Sequence, residues 1–336
     1  MRSLRIKRLS AAKKFCKKCS REILEELRVP VKSFMQLIFR FFTKAVKSTP
    51  MHELSGFLVV NKPNGVTSHD VVGFARRRLK TKKIGHTGTL DPLATGVLVL
   101  GVGNGTRLIE YLVGCDKEYS AEVTFGGTSD TYDAEGLIQP NLQAEPFTKE
   151  DLEAALPAFI GQINQMPPVF SAIKINGQSA HRLARAGEAP EMQPRQITIH
   201  DIKITKFKYP KAELHVTCGS GTYIRSLAHD LGQTLGTGAY LSKLTRTRAG
   251  QFTLADASTF RQIREDKLLP IETGVTSLQR RNLTTLETEK IRMGQKITAR
   301  DCKNNDLRAG FCEDRLVAVL ACEPDKGLLK PVKVLN

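Results

Sequence analysis

Asp91 is the only carboxylate in Gly85-His86-Thr87-Gly88-Thr89-Leu90-Asp91-Pro92-Leu93-Ala94-Thr95-Gly96, a loop that comes after the basic cluster Arg76, Arg77, Arg78, Lys80, Lys82 and Lys83. A lone acid beside a surface suited to polyanions opposes the phosphate attraction around it. It therefore needs a reason to be there, and chemistry on a bound polymer supplies one. Pro92 biases Asp91 away from helix toward extended backbone. Gly88 and Gly96 let the chain bend sharply enough to present the side chain at a loop apex. The competing reading is an Asx-turn acid that caps the next segment of chain.

Two further stretches carry reactive residue types. Gly219-Ser220-Gly221-Thr222-Tyr223-Ile224-Arg225 reads as a glycine hinge followed by strand-like alternation, which sets Tyr223 and Arg225 on one face. A ring and a guanidinium side by side can stack on a base and pair with a carboxylate; an ordinary surface tyrosine and a solvated arginine are the alternative. After the strand opening Asp116-Lys117-Glu118-Tyr119, the loop from Gly126 to Gly136 holds Asp130, Asp133 and Glu135 without the glycine and glutamate spacing of a calcium-binding EF-hand. Asp130 is either an organiser of a neighbouring arginine or a solvated loop acid.

The elements that must position these residues read as an α+β domain. Gly56-Phe57-Leu58-Val59-Val60 is a buried strand, Lys62 to Gly65 its turn, and Ser68 the N-cap of a helix bearing Val71, Val72 and Ala75. Val97–Leu100 is a second buried strand. Gly101-Val102-Gly103-Asn104-Gly105-Thr106 has Thr106 where a dinucleotide-binding fingerprint needs its third glycine, so it reads as a strand-to-helix turn. Residues 119–125, 197–207 and 212–218 alternate as strands, and 149–165 form a helix interrupted at Pro157. Residues 166–196, rich in Pro, Gly, Arg and Gln, are long for a connection and read as a functional flap. Residues 279–336 look like a separate small β-rich unit.

The chain has 336 residues and a net charge of +17, of which residues 1–50 supply +11 from 14 Lys/Arg against 3 Glu. That is the electrostatic footprint of a nucleic-acid or anionic-membrane partner. No apolar run approaches the roughly 20 residues of a membrane helix, so a soluble chain is expected. Residues 1–54 differ from the rest: Phe34, Leu37, Ile38, Phe41 and Phe42 recur at helical spacing among Lys32, Arg40, Lys44 and Lys47. Such a basic amphipathic segment suits a membrane surface, an RNA backbone or an import receptor; alternatively it is an upstream extension, with Met51 as the start. The expected location is cytoplasmic, or organellar if residues 1–50 are a targeting segment. The seven cysteines are scattered, so reduced thiols are expected. Cys16-Lys17-Lys18-Cys19 lacks the second pair a four-ligand zinc site needs, so no metal site is expected.

Taken together, six segments resemble the bacterial tRNA pseudouridine-55 synthase family, the TruB type, in order and spacing over roughly residues 55–260. They are Lys62-Pro63-x-Gly65-x-Thr67-Ser68, the Gly85–Leu98 run, Lys117-x-Tyr119, Asp130-Thr131-x-Asp133-x-x-Gly136, Pro167-Pro168-x-Phe170-Ser171-Ala172-x-Lys174 and Gly221-Thr222-Tyr223-Ile224-Arg225.

The resemblance implies a pseudouridine synthase fold at 55–278, with a mixed, largely antiparallel sheet flanked by helices, and a small PUA-like RNA-binding domain at 279–336. It implies isomerisation of one T-loop uridine of tRNA, with no redox, metal or ATP cofactor, by a monomer without an obligate protein partner. By the match Asp91 is the nucleophile, Arg225 its ion-pair partner, and Asp130 the acid that holds Arg225 from behind. Tyr119 packs on the base and takes a proton from the sugar, while Tyr223 and Leu244 wall the pocket. His86 fills the space left by a flipped nucleotide. Lys62, Thr87, Gly88 and Lys174 belong to motifs that meet the substrate RNA. The flap ends at Pro194-Arg195 and departs from the family at His181, where tyrosine is usual.

Overall fold

Two continuous apolar runs, Phe57–Val60 and Val97–Leu100, set the architecture, because a strand that is apolar on both faces must be covered on both. In this computed structural model, which describes residues 54–336 apart from Ala172, Asn176, Ala189, Arg300, Lys303, Asn304 and Asn336, the first run lies in β1 (Gly56–Lys62). Helix α1 (Ser68–Leu79) and the short β2 (Ile84–His86) lead to β3 (Thr95–Val102), which holds the second. The expectations for residues 1–53, including the amphipathic segment and the Cys16–Cys19 pair, lie outside the described residues.

β1 and β3 pair antiparallel from Gly56↔Val102 to Lys62↔Gly96. Leu58, Val60, Leu98 and Leu100 share a core with Val71, Val72, Ala75 and Leu79 of α1. Phe57, Val59, Val97 and Val99 enter a second cluster. The cap of α1 is Thr67 rather than Ser68: Thr67 Oγ1 accepts from Asp70 N, and the Asp70 carboxylate accepts from Thr67 N at 2.9 Å. Ser68 sits inside the helix, where its hydroxyl is used elsewhere.

A 3-10 turn over Gly103–Leu108 takes up the glycine run read as a turn, and the short α2 (Glu110–Val113) follows it. β4 (Lys117–Phe125) alternates buried with half-exposed residues, as a strand with one covered face should. The hairpin β5 (Gly127–Ser129) and β6 (Ile138–Pro140) encloses the acidic loop. The expected interrupted helix over 149–165 is instead α3 (Lys149–Ala155), a 3-10 turn at Leu156–Phe159, and strand β7 (Gly161–Gln165). Pro157 ends the helix and Gly161, at φ +101, turns the chain into the sheet.

The flap carries the hairpin β8 (Lys174–Ile175) and β9 (Gln178–Ser179), then α4 (Ala180–Arg185); the side chain of His181 lies outside what is described. The long β10 (Arg195–Lys208) and β11 (Lys211–Cys218) come next, then α5 (Ile224–Thr234), β12 (Ala239–Ala249), β13 (Phe252–Thr253) and β14 (Ser258–Thr259). The main sheet runs β14-β1-β3-β12-β4-β11-β10-β7, with β2 on β3 and β13 on β12. Only the β1–β14 and β3–β12 pairings are parallel among the described strands of this sheet, so the sheet is mixed and largely antiparallel, as expected.

The chain ends in β15 (Gln279–Asn282), α6 (Thr285–Arg292), β16 (Ile297–Thr298), β17 (Leu307–Cys312), β18 (Arg315–Glu323) and β19 (Leu328–Val334). These strands form a five-stranded sheet in the order β15-β17-β18-β19-β16. Ala309, Phe311, Leu316, Val319 and Leu335 of this region pack into the same cluster as Phe57, Val59, Val97 and Val99. Lys333 pairs with Glu110, and Leu316 N donates to Glu272 Oε1 at 3.2 Å. The expectation of free thiols fails for one pair. The fold brings Cα atoms of Cys302 and Cys322 to 5.6 Å, and the two form a disulfide.

Candidate active site

The loop between β2 and β3 is held by backbone and side-chain clasps that leave Asp91 at its apex. Thr87 N donates to Val99 O, and the Ser68 hydroxyl both accepts from Leu90 N (2.8 Å) and donates to Leu90 O (2.9 Å). From the β1–α1 turn, Gly65 N and Asn64 Nδ2 reach Pro92 O and Leu93 O. Lys62 is fully buried, and its Nζ donates to Pro63 O, Val66 O and Pro92 O. Burial pushes its ammonium down to about 8, against the pull of Glu135 and Asp91. Lys62 thus buttresses the loop from beneath.

Arg225 is not on a strand. Gly221, at φ +87, turns the chain, Tyr223 precedes α5, and Arg225 lies in the first turn, almost fully buried. This helix start has no cap from its own sequence. Gln165 supplies one instead: its Oε1 accepts from Tyr223 N at 2.8 Å and its Nε2 donates to Tyr223 O at 3.0 Å. Arg225 Nε then stands 3.0 Å from Asp91 Oδ2, an ion pair rather than an aligned hydrogen bond. Nη1 donates to Thr131 O at 3.0 Å and lies 3.4 Å from Asp133 Oδ2, while Nη2 donates to Phe170 O at 2.9 Å.

The acid behind Arg225 is therefore Asp133, not Asp130. Asp130 is exposed and its Oδ1 accepts from Leu137 N, which fixes the loop's exit. Asp133 is buried, and its Oδ1 accepts from Thr131 Oγ1 and Glu135 N while Oδ2 faces the guanidinium. Both acids stand in the same motif, so sequence located the loop and chose the wrong carboxylate within it.

Asp91 remains 38% exposed, yet the surrounding protein displaces enough water to raise its carboxyl above the usual aspartate range. Burial is the largest influence, Arg225 opposes it and the like charge of Asp133 adds to it. Arg225 thus favours the charged form in a site whose burial favours the neutral one.

Tyr119 on β4 is buried with its phenol raised by burial, and Arg246 is the chief opposing influence. Arg246 was missed from sequence. It lies on β12, with Nε donating to Val97 O at 2.7 Å and Nη2 to Gly88 O at 3.1 Å. The available signal was positional: Leu244 and Arg246 are buried on one face of β12, so a charge occupies an inward slot. His86 ends β2, half-buried and with Nδ1 unpartnered among the described residues; burial and then Arg246 hold its pKa down, which favours the neutral ring. Tyr223 is half-buried, and burial raises its phenol while Ser171 opposes. Lys174 is exposed on β8 of the flap. The structure thus gathers Asp91, Arg225, Tyr119, Thr87 and Gly88, and places Asp130 outside the ion-pair network.

Residues 76–224 match the model of the TruB family pseudouridylate synthase N-terminal domain, and residues 225–288 that of the tRNA pseudouridylate synthase B C-terminal domain. The tRNA pseudouridine synthase B of Opitutus terrae is 42% identical over 68% of this chain and 98% of its own length. That of Moorella thermoacetica is 42% identical over 84% of this chain and 99% of its own. A chain in the crystal structure of a Cbf5-Nop10-Gar1 complex is 25% identical with a TM-score of 0.66, covering 86% of this chain and 87% of that one.

Proposed function

Because the chain belongs to the TruB family of pseudouridylate synthases, we propose that it isomerises uridine 55 in the T-loop of tRNA to pseudouridine, with Asp91 as nucleophile toward a flipped-out nucleotide. The reaction breaks the bond from N1 to C1′ and makes one from C5 to C1′, while a proton leaves C5 and one is gained at N1. Nothing is oxidised or reduced, so the reading needs no cofactor. The observation that carries it is the 3.0 Å approach of Asp91 Oδ2 to a guanidinium that is itself fixed by Thr131 O, Phe170 O and Asp133.

Arg225 keeps Asp91 charged in a site that otherwise favours the neutral acid. Tyr119 packs against the base, and its phenol, raised by burial, stays protonated; the net proton movement is from C5 to N1 alone, so no sugar proton is lost. Tyr223 and Leu244 wall the base, and Thr87 and Gly88 line its approach. Lys62 acts by holding the loop. Flipping a T-loop nucleotide costs a few kcal/mol of unstacking; stacking in the pocket and His86 in the vacated space offset it. The flap, with Lys174, closes over the T-arm, and the protein acts as a monomer.

The test is to incubate the chain with an unmodified tRNA transcript and map pseudouridine by mass spectrometry. Product at position 55, absent when that uridine is replaced by cytidine, is the expected result. Product elsewhere, or none, overturns the site assignment.

A further inference from the structure

Arg246 is a buried charge that the proposed chemistry leaves without a task. It is 2% exposed, and among the described residues it makes no ion pair within 4.0 Å of a carboxylate. Burying a cation without a counter-charge is costly, and an apolar residue of similar size would serve the core better.

Its place in the sheet explains its retention. β12 lies between β3, which leaves the Asp91 loop, and β4, which carries Tyr119. Its parallel pairing with β3 spans only Thr245↔Thr95 and Arg246↔Gly96, and on the other side Arg246 is directly opposite Tyr119. Cross-strand partners project to the same face, and Arg246 and Tyr119 are both buried there. Gly96 at φ +99 makes the crossing possible, since a Cβ there would stand 2.2 Å from Arg246 O. We propose that Arg246 is a positioning residue: its one guanidinium ties Gly88 of the Asp91 loop, Val97 of β3 and the Tyr119 phenol together, so that acid and phenol keep a fixed separation.

The inference rests on the proposed pseudouridine chemistry for the importance of Tyr119 to turnover, but its geometry is independent of the substrate. The groups bearing on the phenol are Arg246 from β12, Cys218 from β11 and Asp91 from the loop. Of these Arg246 alone is a fixed cation, so its removal moves the phenol's titration upward.

Full-length protein labelled with fluorotyrosine is titrated by fluorine NMR, with the Tyr119 resonance identified by its loss in Tyr119→Phe. The Arg246→Gln variant is expected to raise the Tyr119 midpoint, and Arg246→Lys to bring it part of the way back. In single-turnover assays Arg246→Gln should slow product formation by about 100-fold, the scale of a small misplacement. Its tRNA affinity should stay within about three-fold, and the loss should be much smaller in a Tyr119→Phe background. An unchanged fluorine titration, or losses that multiply with those of Tyr119→Phe, overturns the inference. If Arg246→Gln does not fold, Arg246→Lys is titrated against wild type instead, and an unmoved midpoint there overturns the inference equally. Absence of pseudouridine with the wild-type protein instead overturns the functional reading and leaves the titration result standing.

Discussion

Asp91 and Glu122 are both carboxylates paired with cations, one in the loop before β3 and one on β4, and their environments drive them in opposite directions. Glu122 is on β4, three residues beyond Tyr119 and so on the other face. It accepts from Lys211 Nζ at 2.9 Å, Lys243 Nζ at 3.0 Å and Ser242 Oγ at 2.9 Å, and these bonds hold its carboxyl down at about 2. Asp91 meets one guanidinium already committed to two carbonyls and a second acid, and burial wins. The open-face cluster maximises charge stabilisation. The Asp91 site limits it, and a charged but weakly satisfied carboxylate is the state that the proposed role of Asp91 as nucleophile calls for.

The strongest way to break this contrast is Asp91→Asn. Product formation should fall by about 10⁴-fold or more, as for loss of a nucleophile, with tRNA affinity within a few-fold. Stability should not fall with it. An acid whose folded pKa is raised binds more protons folded than unfolded between the two values, so its ionised form opposes folding at neutral pH. The melting temperature of Asp91→Asn at pH 7 is therefore expected to equal or exceed that of wild type; a marked drop would mean that the pair stabilises the fold.

Asp133→Asn comes next. Removing a buried counter-charge costs about 3–5 kcal/mol, and the single-turnover rate should drop by about 10–100-fold as Arg225 loses its support. Asp130→Asn should do far less, and equal effects of the two substitutions would mean that Asp133 has no special hold on Arg225. A subtler test uses pH. The wild-type rate should fall on acidification at a pH above the ordinary aspartate value of 3.8, because Asp91 must be ionised. In Asp133→Asn that fall should move to lower pH, since a like charge has gone.

Glu122→Gln should have the smallest effect. Its lysines are 52% and 74% exposed, so screening limits the loss to about 1 kcal/mol or less, with activity unchanged. The sign is opposite to that of Asp91. Glu122 contributes above its unfolded pKa of 4.5 and loses that contribution as pH falls toward its folded value of about 2. Denaturant melts at pH 7 and pH 3 should show the wild-type advantage shrinking with acid.

The apolar runs, the helix bearing Val71 and Val72, and the loop around Asp91 were legible in sequence because local patterns specify them. What was not legible depends on partners distant in the chain. The start of α5 carries no capping residue, because Gln165 does that work from 58 residues away. The choice of Asp133 over Asp130 depends on Tyr132, which holds φ +63 between them and stacks on His229 of α5 with centroids 3.9 Å apart. Arg246 is recognisable only once the register of β12 against β3 and β4 is known. The disulfide joins cysteines whose spacing gives no hint of it.

The cluster shared by Phe57, Val59, Val97 and Val99 with Phe311, Leu316 and Val319 has a consequence for modularity. Each such side chain gains about 1.5–3 kcal/mol from burial, so severing the chain after residue 278 would strip cover from the strand that leaves the Asp91 loop. A shortened protein would carry a sticky scar at its catalytic root, prone to aggregation.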